Sequence, residues 1–307
     1  MYEILVTEPE YLDADGKKAL DKIGHVTAKR LTRMELEQII PDMDIIFIRV
    51  DTTVDAELMK KARKLRIIGS VTTGLNHVDI EFAKKRGIKV LNLHGTHTVP
   101  TAQHTFALML SLCRNIPWAF DNIRQGKWER YKFIGTQLDG KTLGIVGLGR
   151  IGSQMAAYAK AFGMNVKAYD PYVKKADVEL VDSLDKLLAE ADVVTIHAML
   201  TKETGGLIGA RQFEKMKKGA FLLNTARAEI VNQKDLLHAL ESGKLAGAAF
   251  DVFMKEPISD MAEPMVKYAC EHKNLILTPH IGASTREAAH AASMEIAGQI
   301  AEELKKV

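Results

Sequence analysis

Residues 143–171 read LGIVGLGRIGSQMAAYAKAFGMNVKAYDP. The run Leu143-Gly144-Ile145-Val146 is short and apolar, as a strand buried on both faces is. Gly147, Gly149 and Gly152 follow it directly in G-x-G-x-x-G spacing. Met155, Tyr158, Ala159 and Phe162 recur with a helical period, and Gly163 closes that helix. A second strand over residues 165–169 ends on Asp170. Strand, glycine turn, helix, strand and acid together make a dinucleotide fingerprint. Gly147 allows the tight turn, Gly149 lets the backbone approach a pyrophosphate, and Gly152 lets helix and strand pack closely. Arg150 and Ile151 open the helix whose N–H groups would hold the pyrophosphate. Asp170 stands 18 residues past Gly152, placed to accept from the ribose hydroxyls. Its charge would repel a 2′-phosphate, so the expected cofactor is NAD and not NADP.

Working outward, 307 residues suggest about two domains. The chain is 47% hydrophobic and 26% charged, an ordinary globular balance. A net charge of +3, with no dense Lys/Arg run among aromatics, argues against nucleic acid as a partner. Two cysteines, Cys113 and Cys270, give no disulfide framework and no metal site, and fit a reducing compartment. The start MYEILVTEPE lacks a basic, long-apolar leader, and no run is long enough to span a bilayer. The expectation is a cytoplasmic protein that does not engage a membrane.

Before the fingerprint, strands are expected at residues 2–6, 44–50, 65–70 and 88–92, with helices at 15–22, 31–40, 55–62 and 80–86. That alternation predicts a parallel sheet covered on both faces. Residues 98–114 read as a long apolar helix, which Pro117 then interrupts. After Asp170, strands at 193–197, 220–224, 247–252 and 275–278 alternate with helices at 184–190, 210–216 and 233–242. A long Ala-rich helix spans 284–306. The fold class is thus α/β, with doubly wound parallel sheets.

Ligands in such folds bind beyond the C-terminal ends of the strands. Arg49 and Thr72-Thr73-Gly74 stand there in the first part, and Arg227 and His280 in the second. Asp251 ends the strand AGAAFDVF, and Glu256 follows five residues later. Arg, Glu and His beside a nicotinamide pocket suit reduction of a 2-oxo acid. The planar fork of Arg227 can clamp the carboxylate. His280, as imidazolium, can protonate the carbonyl oxygen as hydride arrives, and in reverse take the hydroxyl proton. Glu256 can hold one ring nitrogen and favour the charged imidazole.

These motifs carry a resemblance to the D-isomer-specific 2-hydroxyacid dehydrogenases over nearly the whole length. They are GSVTTGLNHVD (69–79), LGIVGLGRIG (143–152), AYDP (168–171), LLNTARAEIV (222–231), AAFDVFMKEP (248–257) and LTPHIGAST (277–285). The resemblance implies Arg227, Glu256 and His280 as the catalytic set. It implies substrate binding by Arg49 and by the backbone of Thr72, Thr73 and Gly74. Asp251 would hold the nicotinamide amide. Thr225 and Ala226 would give backbone contacts, and His197 and Gly282 would also border NAD. Two domains around a cleft are implied, flavodoxin-like for substrate (1–97 with 285–307) and Rossmann-like for NAD (98–284). A homodimer joined near residues 98–130 is implied as well.

Some positions depart from the family pattern. Gln103 stands for Glu, Ala228 for Gly, and Ala198-Met199 for x-Pro. The chain resembles short 3-phosphoglycerate dehydrogenases and shares Arg49 with them, but Ser70 stands where a second Arg is common. One cation fewer weakens the case for a phosphorylated substrate and leaves glyoxylate, hydroxypyruvate or another small 2-oxo acid open. No amino-acid-sensing domain follows Val307, so control by that route is not expected. His280 argues against a formate dehydrogenase, which has Gln there. The alternative from another class is an NAD-sensing scaffold similar to the C-terminal-binding-protein corepressors.

Overall fold

In a computed structural model that describes residues 1–258 and 261–306, the chain forms two compact units. The first comprises Met1–His97 with Ser284–Val307, and the second Thr98–Ala283. Ser284 joins the first unit, one residue earlier than the sequence suggests. Its hydroxyl bonds there to Tyr11 Oη at 3.1 Å and accepts from Arg49 Nη2 at 3.3 Å.

The first unit carries β1 (Tyr2–Val6), β2 (Gly24–Ala28), β3 (Ile45–Ile48), β4 (Ile67–Ser70) and β5 (Lys89–Leu91). They lie in the order β2-β1-β3-β4-β5, all parallel. This is the flavodoxin-like order, whose switch point falls between β1 and β3. The central strands are apolar throughout because both faces are covered. On one face Leu5, Ile46, Ile48 and Ile68 pack against Leu36, Leu58 and Met59. On the other, Ile4, Val6, Ile45 and Phe47 pack against Leu20 and against Ile296 and Ile300 of the helix Arg286–Leu304. Asp13 ties the unit's two segments together: one oxygen caps the helix Ala14–Asp21 and the other meets His290 Nδ1 at 2.5 Å.

The second unit carries β6 (Thr142–Val146), β7 (Asn165–Tyr169), β8 (Glu179–Leu180), β9 (Val193–Ile196), β10 (Ala220–Asn224), β11 (Leu245–Phe250) and β12 (Leu275–Leu277). The order is β12-β11-β10-β9-β6-β7-β8, again parallel throughout. This is the Rossmann order with one further strand, and its switch point lies between β6 and β9. The helix Thr98–Cys113 covers one face with Ala102, Phe106 and Met109.

Several elements escape the sequence pattern. β2, GHVTA, is an edge strand with one buried residue, so it lacks the apolar run that marks its neighbours. β8 has only two residues. Pro117 opens the helix Ile116–Arg124 and does not interrupt one. Pro264 likewise opens a helix, Pro264–Glu271, capped by Glu263. Proline is tolerated in a first turn because the N–H it lacks has no partner there. No helix among the described residues is long and apolar enough to cross a membrane.

Candidate active site

At the end of β6 the chain turns at Gly147 with φ +89°. A side chain there would be strained, and its Cβ would meet Ala198 N at 2.8 Å, the peptide just past β9. The turn is thus pressed against the neighbouring strand across the switch point. A Cβ at Gly152 would lie 2.2 Å from Gly147 O, so that glycine lets the helix Arg150–Ala161 sit on the turn. A Cβ at Gly149 would meet nothing within 4 Å, leaving the backbone open to a ligand. This helix starts without a side-chain cap, which suits its N-terminus to an anion.

Asp170, just past β7, accepts from Leu148 N and Tyr172 N, each at 2.9 Å. A carboxylate has about four acceptor positions. One of them fastens Asp170 to the glycine turn and one to its own loop at Tyr172, and two remain for ribose hydroxyls. Open backbone, uncapped helix and anchored acid fit a dinucleotide. His197, past β9, bonds Thr195 Oγ1 at 2.9 Å, and burial pushes its imidazole down to about 3, so it is neutral.

The catalytic candidates follow β10, β11 and β12, three adjacent strands, at the edge where β6, β7 and β9 also end. Past β10, Asn224 is fully buried and pins the turn with both ends of its amide. Its Nδ2 donates to Arg227 O at 2.8 Å and its Oδ1 accepts from Ala226 N at 3.0 Å. Arg227 leaves this turn half-buried, with Nη1 donating to Ala226 O at 2.7 Å. Past β11, Glu256 Oε1 accepts from Phe253 N at 2.9 Å. Its Oε2 lies 2.5 Å from Nδ1 of His280, which follows β12. An ionised carboxylate only accepts, so His280 carries a proton on Nδ1. Among the described residues nothing bonds His280 Nε2, which leaves it for a substrate. His280 sits at φ +53°, a conformation that costs roughly 1 kcal/mol or more and persists when neighbours over-determine it.

Asp251 supplies that constraint. It is 1% exposed and accepts from Ile281 N at 2.9 Å, Gly282 N at 2.7 Å and Thr278 Oγ1 at 2.6 Å. Burial works against its charge, yet the bonds from His104, Thr278 and Ile281 hold it below the usual carboxylate range. A Cβ at Gly282 would stand 3.0 Å from Asp251 Oδ2. The loop through His280 is thus wound closely around one buried carboxylate.

In the first unit, Arg49 follows β3 and is 7% exposed. Its guanidinium carbon lies 3.7 Å from the Tyr11 ring centroid, and no carboxylate among the described residues pairs with it. Glu8, past β1, accepts from Arg49 N at 3.2 Å and Thr52 Oγ1 at 2.7 Å, and burial raises its carboxyl. The hydroxyls of Ser70 and Thr72, at the end of β4, are wired internally. Thr72 donates to Gly74 O, so Ser70 donates to Thr72, and Ser70 in turn accepts from His77 Nε2. With these side chains spent, backbone N–H groups are what the loop offers. Among the described residues no acceptor takes those of Thr73 and Gly74.

Sequence reading overlooks Glu8, Asn224 and His104. Only His104 leaves a signal: Thr101, His104 and Thr105 put a polar face at i, i+3, i+4 on an otherwise apolar helix.

The family described as D-isomer specific 2-hydroxyacid dehydrogenase, NAD binding domain, matches residues 106–282. The chain is 45% identical to the D-3-phosphoglycerate dehydrogenase of Archaeoglobus fulgidus over 97% of its own length and 56% of the relative's. It thus spans about half the length of that relative. It is 38% identical to a hydroxypyruvate reductase of Thermotoga maritima, covering 99% of this chain and 98% of that one. The structure of D-lactate dehydrogenase from Aquifex aeolicus complexed with NAD and lactic acid superposes with a TM-score of 0.88. The two are 29% identical, over 99% of this chain and 96% of that chain.

Proposed function

The chain belongs to the D-isomer specific 2-hydroxyacid dehydrogenase family, and on that premise we propose that it is an NAD-dependent oxidoreductase of a small 2-hydroxy or 2-oxo acid. The observation that carries this reading is His280, bonded to Glu256 through Nδ1 with Nε2 left open. When bound, NADH would supply the hydride to the carbonyl carbon. The Arg227 guanidinium holds the carboxylate and fixes which carbon is presented. The proton comes from Nε2 of the His280 imidazolium, while Nδ1–H stays on Glu256 throughout. One nitrogen is fixed and the other exchanges the proton, so the ring need not turn between steps. In the reverse direction neutral His280 accepts the hydroxyl proton at the same atom.

Arg49 and the N–H groups of Thr73 and Gly74 are the anion-binding groups of the first unit in this reading, with Thr72 shaping the loop. Ser70, spent on Thr72 and His77, adds no charge. NADH oxidation with glyoxylate, hydroxypyruvate, pyruvate, oxaloacetate and 3-phosphohydroxypyruvate tests the proposal. Turnover of at least one acid is expected, with NADH preferred over NADPH. Tight NADH binding without turnover of any would overturn it.

The NAD preference rests on Asp170. Asp170→Ala is expected to narrow the NADH-over-NADPH ratio of kcat/KM by about tenfold or more, since the charge that repels a 2′-phosphate is gone. An unchanged ratio would remove Asp170 from that role.

A homodimer is also proposed. The helix Ile116–Arg124 exposes Ile116, Phe120 and Ile123 at i, i+4, i+7, and Trp128, Tyr131 and Ile134 after it are exposed as well. Free Cys113 and Cys270 suit a reducing, cytoplasmic setting.

A further inference from the structure

The helix Thr98–Cys113 carries three polar residues on a face that should be apolar. Thr101 is 8% exposed, Thr105 is 0% exposed, and the His104 side chain is 18% exposed. Each is spent on a loop that carries proposed chemistry.

His104 Nε2 lies 3.0 Å from Thr278 Oγ1 and 3.3 Å from Asp251 Oδ1. Thr278 has one hydroxyl proton, and its 2.6 Å bond to Asp251 Oδ1 uses it. Thr278 therefore accepts from the ring, so the proton of His104 sits on Nε2. Asp251 in turn holds Ile281 N and Gly282 N, the two residues after His280. Thr101 closes the same corner: a Cβ at Gly282 would come within 3.4 Å of Thr101 Cγ2. On the next residue, Thr105 donates to Thr101 O at 2.8 Å, so the 2.7 Å bond between Thr105 and Thr225 is donated by Thr225. Thr225 leads directly into Ala226 and Arg227.

We propose that His104 and Thr105 are positioning residues, His104 aiming His280 through Asp251 and Thr278, and Thr105 aiming Arg227 through Thr225. The inference rests on the catalytic roles given above to His280 and Arg227. It assigns the two neighbours on one helix to different steps, proton transfer for His104 and carboxylate clamping for Thr105. A part that only holds the fold together would not separate them.

The test uses His104→Leu, which fills the space without a donor, and His104→Gln, whose amide N–H can reach the same acceptors. His104→Leu is expected to lower kcat about 10- to 100-fold, the scale of a misplaced reacting group, with KM for the acid and NADH affinity within about threefold. His104→Gln should recover most of the loss. Thr105→Val should instead raise KM for the acid about tenfold with a smaller fall in kcat, the direction expected for loss of Arg227 itself, and Thr105→Ser should restore both. If His104→Leu raises KM as Thr105→Val does, or neither variant moves either constant, the assignment is overturned. An independent readout separates this failure from failure of the parent reading. The ¹⁵N resonances of the His280 ring, which report its bond to Glu256, should shift in His104→Leu and return in His104→Gln. Wild-type protein that reduces no acid sinks the parent reading, whereas unmoved His280 resonances sink the role of His104.

Discussion

His280→Ala is expected to lower kcat by about 10²- to 10⁴-fold, the usual worth of a positioned general acid–base group. NADH affinity should stay within a few-fold, because the groups expected to hold the pyrophosphate and ribose lie on other turns. The size of the loss follows from the geometry. Glu256 at 2.5 Å fixes Nδ1, so Nε2 is the one ring position that can exchange a proton with substrate. Removing the ring leaves water to protonate the carbonyl oxygen. Glu256→Gln should fall between wild type and His280→Ala, since an amide cannot stabilise the imidazolium as a carboxylate does. Single-turnover NADH oxidation with the preferred acid, alongside NADH fluorescence titration, reads both quantities. Near-normal turnover in His280→Ala would end the acid–base assignment.

Arg227→Ala is expected to reduce kcat/KM by about 10²- to 10³-fold, with KM and kcat both affected, as when one partner of a buried charged pair is removed. The carboxylate would lose its bidentate partner and with it the alignment of the carbonyl. Arg227→Lys should recover no more than about a tenth of the lost activity. Its ammonium restores the charge but not the planar fork, and Asn224 has already fixed the turn for an Arg. Steady-state kinetics over a wide range of acid concentration separates the effects. A variant with raised KM and normal kcat would reduce Arg227 to a binding group. Full recovery in Arg227→Lys would show that charge alone matters.

The strongest sequence signals came from residues whose function forbids alternatives. Gly147, Gly149 and Gly152 are read easily because a tight turn, an open backbone and a close packing contact each exclude a side chain. The buried strands were also legible, since sheets covered on both faces need unbroken apolar runs. Two of the edge strands were not: β2 and β8 bury little and leave no pattern. Pro117 misled because Pro opens helices as well as stopping them. The proposed catalytic residues stood out by their place after strands. Their supports did not, because Asn224 and His104 act through bonds to positions distant in sequence or to a turn's own backbone. Such bonds have no period. Only the polar i, i+3, i+4 face of the helix Thr98–Cys113 hinted at them.

The first unit is assembled from two separated segments, and this shapes the order in which a growing chain can fold. When residues 1–97 leave the ribosome, one face of their sheet can be covered at once by local helices. The other face awaits Ile296 and Ile300, and Gly69 has no side chain because a Cβ there would stand 2.7 Å from Ile296 Cγ2. Those residues are synthesised only after the whole second unit. The early strands therefore wait with Ile4, Val6, Ile45 and Phe47 only partly covered, by Leu20 of the local helix, while the dinucleotide unit forms, a stage exposed to aggregation. The segment made before the dinucleotide unit is thus the one that completes its core after it.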